Sequence, residues 1–195
     1  MRHSHWLVLI VIALGLVLGM GYHFNQPGPA EPYPGMGGDF TLDSSQGPVS
    51  LKDLRGKVVP IYFGYTSCPD ICPTSLSALA QALNQLDEHE LSQVQALFIS
   101  VDPERDKLDR LAEYAKYFHP AMLGVTGDLE LLQAIAKSYG AFFHKVEIED
   151  SSIGYAVDHS SIIFVVDKQG VLRQMVQHSN SPQKILESIR DILAL

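Results

Sequence analysis

Val58–Pro73 reads VVPIYFGYTSCPDICP, an apolar run that ends in a loop carrying both cysteines of the chain, each followed directly by proline. Val58 to Phe63, set between Gly56 and Gly64, is the signature of a short strand buried on both faces. Beyond the loop, Leu76, Leu79, Ala80, Leu83 and Leu86 recur at helical spacing and mark a helix. The loop therefore joins a strand to a helix. A residue before proline is steered away from the α region, so neither Cys68 nor Cys72 is expected to be helical. Pro73 suits the first helical position. That makes Cys72 the expected N-cap, with its thiolate stabilised by the free N–H groups and dipole of the helix.

Strand and helix signals alternate outward from this segment. Upstream, Phe40-Thr41-Leu42 and Val49-Ser50-Leu51 flank the turn residues Ser45-Gln46-Gly47-Pro48 and predict a hairpin. Downstream, Val94 to Val101 reads as a second buried strand. Leu108, Leu111, Ala112, Ala115 and Phe118 mark a helix that Pro120 ends. Met122 to Val125 predicts a short strand, and Leu129, Leu132, Ile135, Ala136 and Tyr139 a helix that Gly140 stops. Ile162 to Val166 and Val171 to Val176 flank Asp167-Lys168-Gln169-Gly170, a hairpin signal. The last helix opens at Ser181-Pro182 and carries Ile185, Leu186, Ile189 and Leu193 on one face. The class is α/β, with a mixed central sheet flanked by helices and an N-terminal hairpin. The order of elements is that of a thioredoxin-like fold. A fold does not fix a function, which has to be read from the site.

The chain has 195 residues, of which 46% are hydrophobic, and a formal net charge of -8. Arg2 and Glu31 are the only charged residues before Asp39, so the acidity belongs to residues 39–195, which read as one domain. The clustered Lys and Arg that phosphate contacts need are missing, and no nucleic-acid partner is expected. Two cysteines in one loop point to chemistry at one spot, not to a disulfide scaffold. Trp6 to Tyr22 is an unbroken run of apolar residues and glycines, at the short end of the roughly 17–25 residues that span a bilayer. Residues 1–24 are expected to form a single-pass transmembrane anchor, and residues 25–38, rich in Pro and Gly, a linker. Arg2 precedes the run and no Lys or Arg follows until Lys52. The positive-inside rule then places the N-terminus in the cytoplasm and the domain in the periplasm, on a bacterial inner membrane. The alternative is a cleaved signal segment and a soluble periplasmic domain.

Three functions fit the cysteine loop by itself. Two soft thiolates can bind a metal, and they select copper, zinc or iron–sulfur centres. Iron–sulfur clusters generally take four cysteines, and zinc prefers four ligands, whereas copper can be held by two sulfurs and one imidazole. Thiol–disulfide exchange is the second function, usually run with two residues between the cysteines. Peroxide reduction is the third; peroxidases of this fold space the residues as Thr-x-x-Cys, and here only Ser67 separates Thr66 from Cys68. A structural disulfide would close a very small loop for little entropic gain. Among eight histidines, His89, His119, His144 and His178 read as solvated. His159, in Val157-Asp158-His159-Ser160, directly precedes the strand Ile162–Val166. If that strand runs antiparallel to Val58–Phe63, His159 lies beside the cysteine loop. Disulfide-exchanging thioredoxins place a proline there, yet this chain has none between Pro120 and Pro182. Asp158 reads equally as an orienting partner for the imidazole or as a turn cap.

Three motifs, Gly64-Tyr65-Thr66-Ser67-Cys68-Pro69-Asp70-Ile71-Cys72-Pro73, Ser100-Val101-Asp102-Pro103-Glu104-Arg105-Asp106 and Val157-Asp158-His159-Ser160, occur in this order. Together they resemble the Sco/SenC family of copper-binding proteins that assemble cytochrome c oxidase. The resemblance implies a thioredoxin-like fold and a copper ion held by Cys68, Cys72 and His159. It also implies delivery of copper to the binuclear site of cytochrome c oxidase subunit II, or thiol–disulfide reduction of that site's cysteines. Implied partners are that subunit, a periplasmic copper donor and a thiol reductant. The Asp102–Asp106 segment has no ligand chemistry of its own and is expected to end a strand, with Asp106 capping the next helix.

Overall fold

The computed structural model describes residues 32–148, 154–177 and 181–195. The expected anchor, His178 and the first half of the expected linker, residues 25–31, lie outside these residues. No helix among the described residues is long and apolar enough to cross a membrane. Of the 25–38 stretch, the described part runs against the domain. Tyr33 and Met36 pack on its core, and the Gly37 N–H donates to the Ser138 carbonyl at 2.7 Å.

The N-terminal hairpin forms as expected: β1 (Thr41–Ser44) pairs antiparallel with β2 (Gly47–Ser50). The central sheet has five strands, β3 (Val59–Gly64), β4 (Ala96–Ser100), β5 (Met122–Val125), β8 (Ile162–Val166) and β9 (Leu172–Gln177). Its order is β5-β4-β3-β8-β9. The β3–β4 and β4–β5 pairs are parallel, and β3–β8 and β8–β9 are antiparallel. Every residue of β3 and β4 is buried, because a strand inside a sheet covered on both faces needs apolar side chains on both.

The helices are α1 (Ile71–Leu83), α2 (Glu88–Ser92), α3 (Leu108–Phe118), α4 (Leu129–Ser138) and α5 (Pro182–Leu193). The short α2 has too few turns to show a period, but its capping box is plain. Asp87 accepts from the Glu90 N–H at 2.7 Å, and Glu90 accepts from the Asp87 N–H at 3.0 Å. The helix α4 ends at Gly140, whose φ of 69° closes the last turn. Leu129, assigned by period to the buried face of α4, is 42% exposed.

Two strands escaped the sequence reading. The strands β6 (Phe143–Glu147) and β7 (Tyr155–His159) pair antiparallel outside the main sheet, with Phe143 opposite His159. Their signal was the alternation of Tyr155, Val157 and His159 with Ala156 and Asp158.

The helix α1 begins earlier than the prolines suggested. Its N-cap is Asp70, and Cys72 is already in the first turn. Proline clashes with the carbonyl four residues back and forfeits an intrahelical bond only in a helix interior. For Pro73 that carbonyl belongs to Pro69, outside the helix, and first-turn N–H groups have no helical partner to lose. Cys68 lies outside the helix as expected.

Asp106 does not cap α3, whose N-cap is Lys107. It is 1% exposed and reaches back to the cysteine loop. Its carboxylate accepts from the Thr66 N–H at 2.9 Å, the Thr66 hydroxyl at 2.5 Å and the Ser100 hydroxyl at 2.6 Å. The loop is thereby tied to the end of β4.

Two substitutions test these constraints. A Cβ at Gly124 would collide with the backbone carbonyl of Leu111 on α3. Gly124→Ala should therefore cost about 2–3 kcal/mol, since backbone cannot yield as a side chain does. Asp106→Ala strands three buried donors and should cost about 3–5 kcal/mol. Urea unfolding measures both; an unchanged midpoint in either would refute the packing or the tie.

Candidate metal centre

The parallel strand β3 delivers the chain to Gly64, where the loop begins. A Cβ at Gly64 would stand 2.7 Å from the Cys72 Sγ, so only glycine leaves room for that sulfur. Cys68 and Cys72 are both free thiols, 8% and 0% exposed. The Cys72 N–H, unpaired within the helix by its position in the first turn, donates to the Cys68 Sγ at 3.4 Å.

His159 arrives from the other side of the sheet's midline. Tyr62 pairs with Ile163 across β3 and β8, which brings the end of β7 beside the loop. The Ser160 N–H donates to the Phe142 carbonyl at 3.0 Å, and the Ser160 hydroxyl accepts from the Phe142 N–H at 3.0 Å. These bonds fix the turn out of β7. The His159 Nε2 then lies 3.2 Å from the Cys72 Sγ. Its Nδ1 lies 3.2 Å from the Ser160 carbonyl, which can only accept. A hydrogen on Nδ1 satisfies that carbonyl and leaves the Nε2 lone pair facing the sulfurs. Tyr62 and Tyr65 stand edge-on to the imidazole, with ring centroids at 6.0 and 5.8 Å.

The two sulfurs are unequal. The Cys72 thiol beside Cys68 draws the Cys68 thiol down to about 3, against the opposing effect of burial; His159 and the N–H groups of Asp70 and Cys72 add to the lowering. Cys72 is pushed above the ordinary thiol range, first by its bond to Cys68 and then by burial. The sequence placed the stabilised thiolate at Cys72; the structure places it at Cys68. The reason is that the Cys72 thiol lies against the Cys68 sulfur, with His159 and the free N–H groups of the helix end adding to the lowering.

The donor atoms of Cys68, Cys72 and His159 all lie within 4.8 Å of one another. Donors bound at about 2.0–2.3 Å to one ion sit at most about 4.5 Å apart, so a slight contraction would let all three reach a shared ion. Asp158, by contrast, does not orient His159. It alternates to the other face of β7 and pairs with the facing His144 at 3.5 Å, both exposed. His119, read as solvated, is 6% exposed, and its Nδ1 accepts from the Ala121 N–H at 3.0 Å.

Comparison with known proteins identifies the lineage of the chain. A family model described as SCO1/SenC matches residues 29–194. An SCO2-like protein of Rickettsia felis is 32% identical, over 97% of this chain and 99% of its own. The structure of Arabidopsis thaliana ScoI with copper bound superposes with a TM-score of 0.75 at 36% identity, covering 82% of this chain and 99% of that one. A protein called BsSco, described as a member of the Sco family of cytochrome c oxidase assembly proteins, shares the fold. It superposes with a TM-score of 0.67 at 24% identity, over 87% of this chain and 99% of that one. A match over nearly the whole chain, with a relative aligned end to end, leaves no ambiguity of lineage: the chain belongs to the SCO1/SenC family.

Proposed function

We propose that this protein is a copper metallochaperone. It takes one copper ion as cargo between the Cys68 and Cys72 sulfurs and the His159 Nε2, and passes it to the binuclear copper site of cytochrome c oxidase subunit II. The observation that carries the reading is the convergence of two sulfurs and one ring nitrogen within 4.8 Å. Two thiolates and an imidazole form a soft donor set that favours copper, and a relative with this fold is seen with copper bound. Transfer would proceed by ligand exchange, a donor of the receiving site replacing one of the three at a time. Loading requires a periplasmic copper donor and the reduced cysteine pair, hence a thiol reductant on the oxidising side of the membrane. The Trp6–Tyr22 run, with Arg2 before it, supports an anchor that holds the domain on that side.

A second reading rests on the stabilised thiolate of Cys68. A thiolate at neutral pH can attack a disulfide of subunit II. Cys68 would form a mixed disulfide and release one target sulfur as thiolate. Cys72, giving up its proton, would then attack the Cys68 sulfur and displace the second target sulfur, leaving the target as two thiols and this chain as the disulfide. Metal delivery is favoured because His159, which disulfide exchange does not need, faces the sulfurs.

Titrating the reduced chain with Cu(I) against a chromophoric chelator separates the two. One equivalent should bind tightly, and His159→Ala should weaken binding by at least tenfold, about 1.4 kcal/mol. Equal affinity in the His159→Ala variant would sink the three-donor site; undiminished disulfide reduction by that variant would move weight to the second reading. Gly64→Ala, by displacing the Cys72 sulfur, should also weaken copper binding about tenfold or more, read in the same competition assay.

A further inference from the structure

The segment after β4 holds more than the cysteine loop. Asp102 is 1% exposed. It accepts from the Arg105 Nε and, at 2.8 Å, from the Tyr155 hydroxyl. Tyr155 opens β7, the strand that His159 closes. The Arg105 guanidinium lies 3.7 Å from the centroid of the Tyr155 ring, and its Nη1 donates to the Tyr155 carbonyl at 3.0 Å. The same guanidinium lies 5.6 Å from the Tyr65 ring, and Tyr65 is the residue standing edge-on to the imidazole of His159. Glu104 adds an ion pair to Lys145 on β6 at 2.6 Å.

These contacts share one direction. Tyr155, Val157 and His159 alternate onto one face of β7, and Val157 is buried. A strand gripped through Tyr155 carries His159 at its far end, about 13 Å along at the rise of an extended chain. The pair β6–β7 is not hydrogen-bonded into the five-stranded sheet, so the β3–β8 ladder brings only the His159 end of β7 beside the loop and leaves the Tyr155 end without a neighbouring strand of that sheet. Something else must hold it, and a cation stacked on Tyr155 and bonded to its backbone does so.

We infer that Arg105, with Asp102 behind it, is a positioning residue for the third donor: by gripping Tyr155 and backing Tyr65, it holds His159 against the cysteine pair. The inference rests on His159 being a copper ligand. Neither Arg105 nor Asp102 belongs to the three-donor cluster. Asp102 orients the guanidinium and takes the Tyr155 hydroxyl, so the grip has both a charged bond and a ring face.

The test is a double-mutant cycle on the reduced full chain, read by Cu(I) competition, with hydrogen exchange on the metal-free chain. Arg105→Ala should lower copper affinity about 10- to 100-fold, the usual effect of losing an outer support. In the His159→Ala background it should cost nothing further. Amides of residues 143–147 and 155–159 should exchange faster in Arg105→Ala without copper, while those of β3 and β4 keep their protection. Tyr155→Phe keeps the ring under the guanidinium and loses only the hydroxyl. It should show a smaller loss with the same dependence on His159, and serves should Arg105→Ala not fold. Equal losses with and without His159, or unchanged exchange in β6 and β7, would overturn the positioning role. If His159→Ala alone costs nothing, the ligand assignment itself falls, and the positioning role with it.

Discussion

The site depends on β8 running antiparallel beside β3. Cys72 and His159 are 87 residues apart in the chain, and no local preference can join them. The β3–β8 ladder does so by setting Tyr62 opposite Ile163 and Ile61 opposite Phe164. Because side chains alternate, a one-residue slip would turn the buried set of β8 outward. The apolar run Ile162–Val166 forbids that slip, and the same register places the residues just before it at the mouth of the cysteine loop. Burying one strand correctly thus brings the parts of the candidate site together.

The register brings the two parts near each other, and the Asp102–Asp106 segment then holds them. Burying a carboxylate costs several kcal/mol unless donors replace its water. Asp106 finds its donors on the cysteine loop and on Ser100; Asp102 finds them on Arg105 and Tyr155. Each carboxylate is satisfied only when its own neighbour is in place. One short segment therefore reports to both halves of the site, and buried polar networks of this kind favour a single arrangement over near alternatives.

Before any ion arrives, the three donors are already in communication. The Cys72 thiol and the N–H groups of the helix end favour the deprotonated form of Cys68, while the bond to Cys68 and then burial make Cys72 hold its proton more tightly. A soft cation entering would release that one proton and replace it. The edge-on rings of Tyr62 and Tyr65 and the absence of a side chain at Gly64 leave the imidazole and the sulfurs facing each other in a close-fitting space.

Most of the fold was legible in the sequence because its strands and helices carry strong periods and clear punctuation. The run Val58–Phe63, the heptad-like leucines of α1, Pro120 after α3 and Gly140 after α4 each act within a few residues. The cysteine pair and the histidine were legible as chemistry, by residue type and by a proline that is missing. Other features depended on the three-dimensional setting of each residue. The start of α1, the thiolate at Cys68 and the turning of Asp158 away from His159 depend on which neighbours the folded chain supplies. The same holds for the strands β6 and β7, whose polar, exposed surface weakened their alternation, and for Asp106, which looked like a helix cap. By itself the sequence determined the thioredoxin-like class, because local sterics and hydrophobic period are written into short stretches, and it offered Cys68, Cys72 and His159 as candidate donors by residue type and family resemblance. Tertiary structure decided which sulfur loses its proton more easily, because the folded loop sets the Cys72 thiol and N–H against the Cys68 sulfur and brings His159 to it, and it ties the cysteine loop and β7 to partners 40 and 50 positions away.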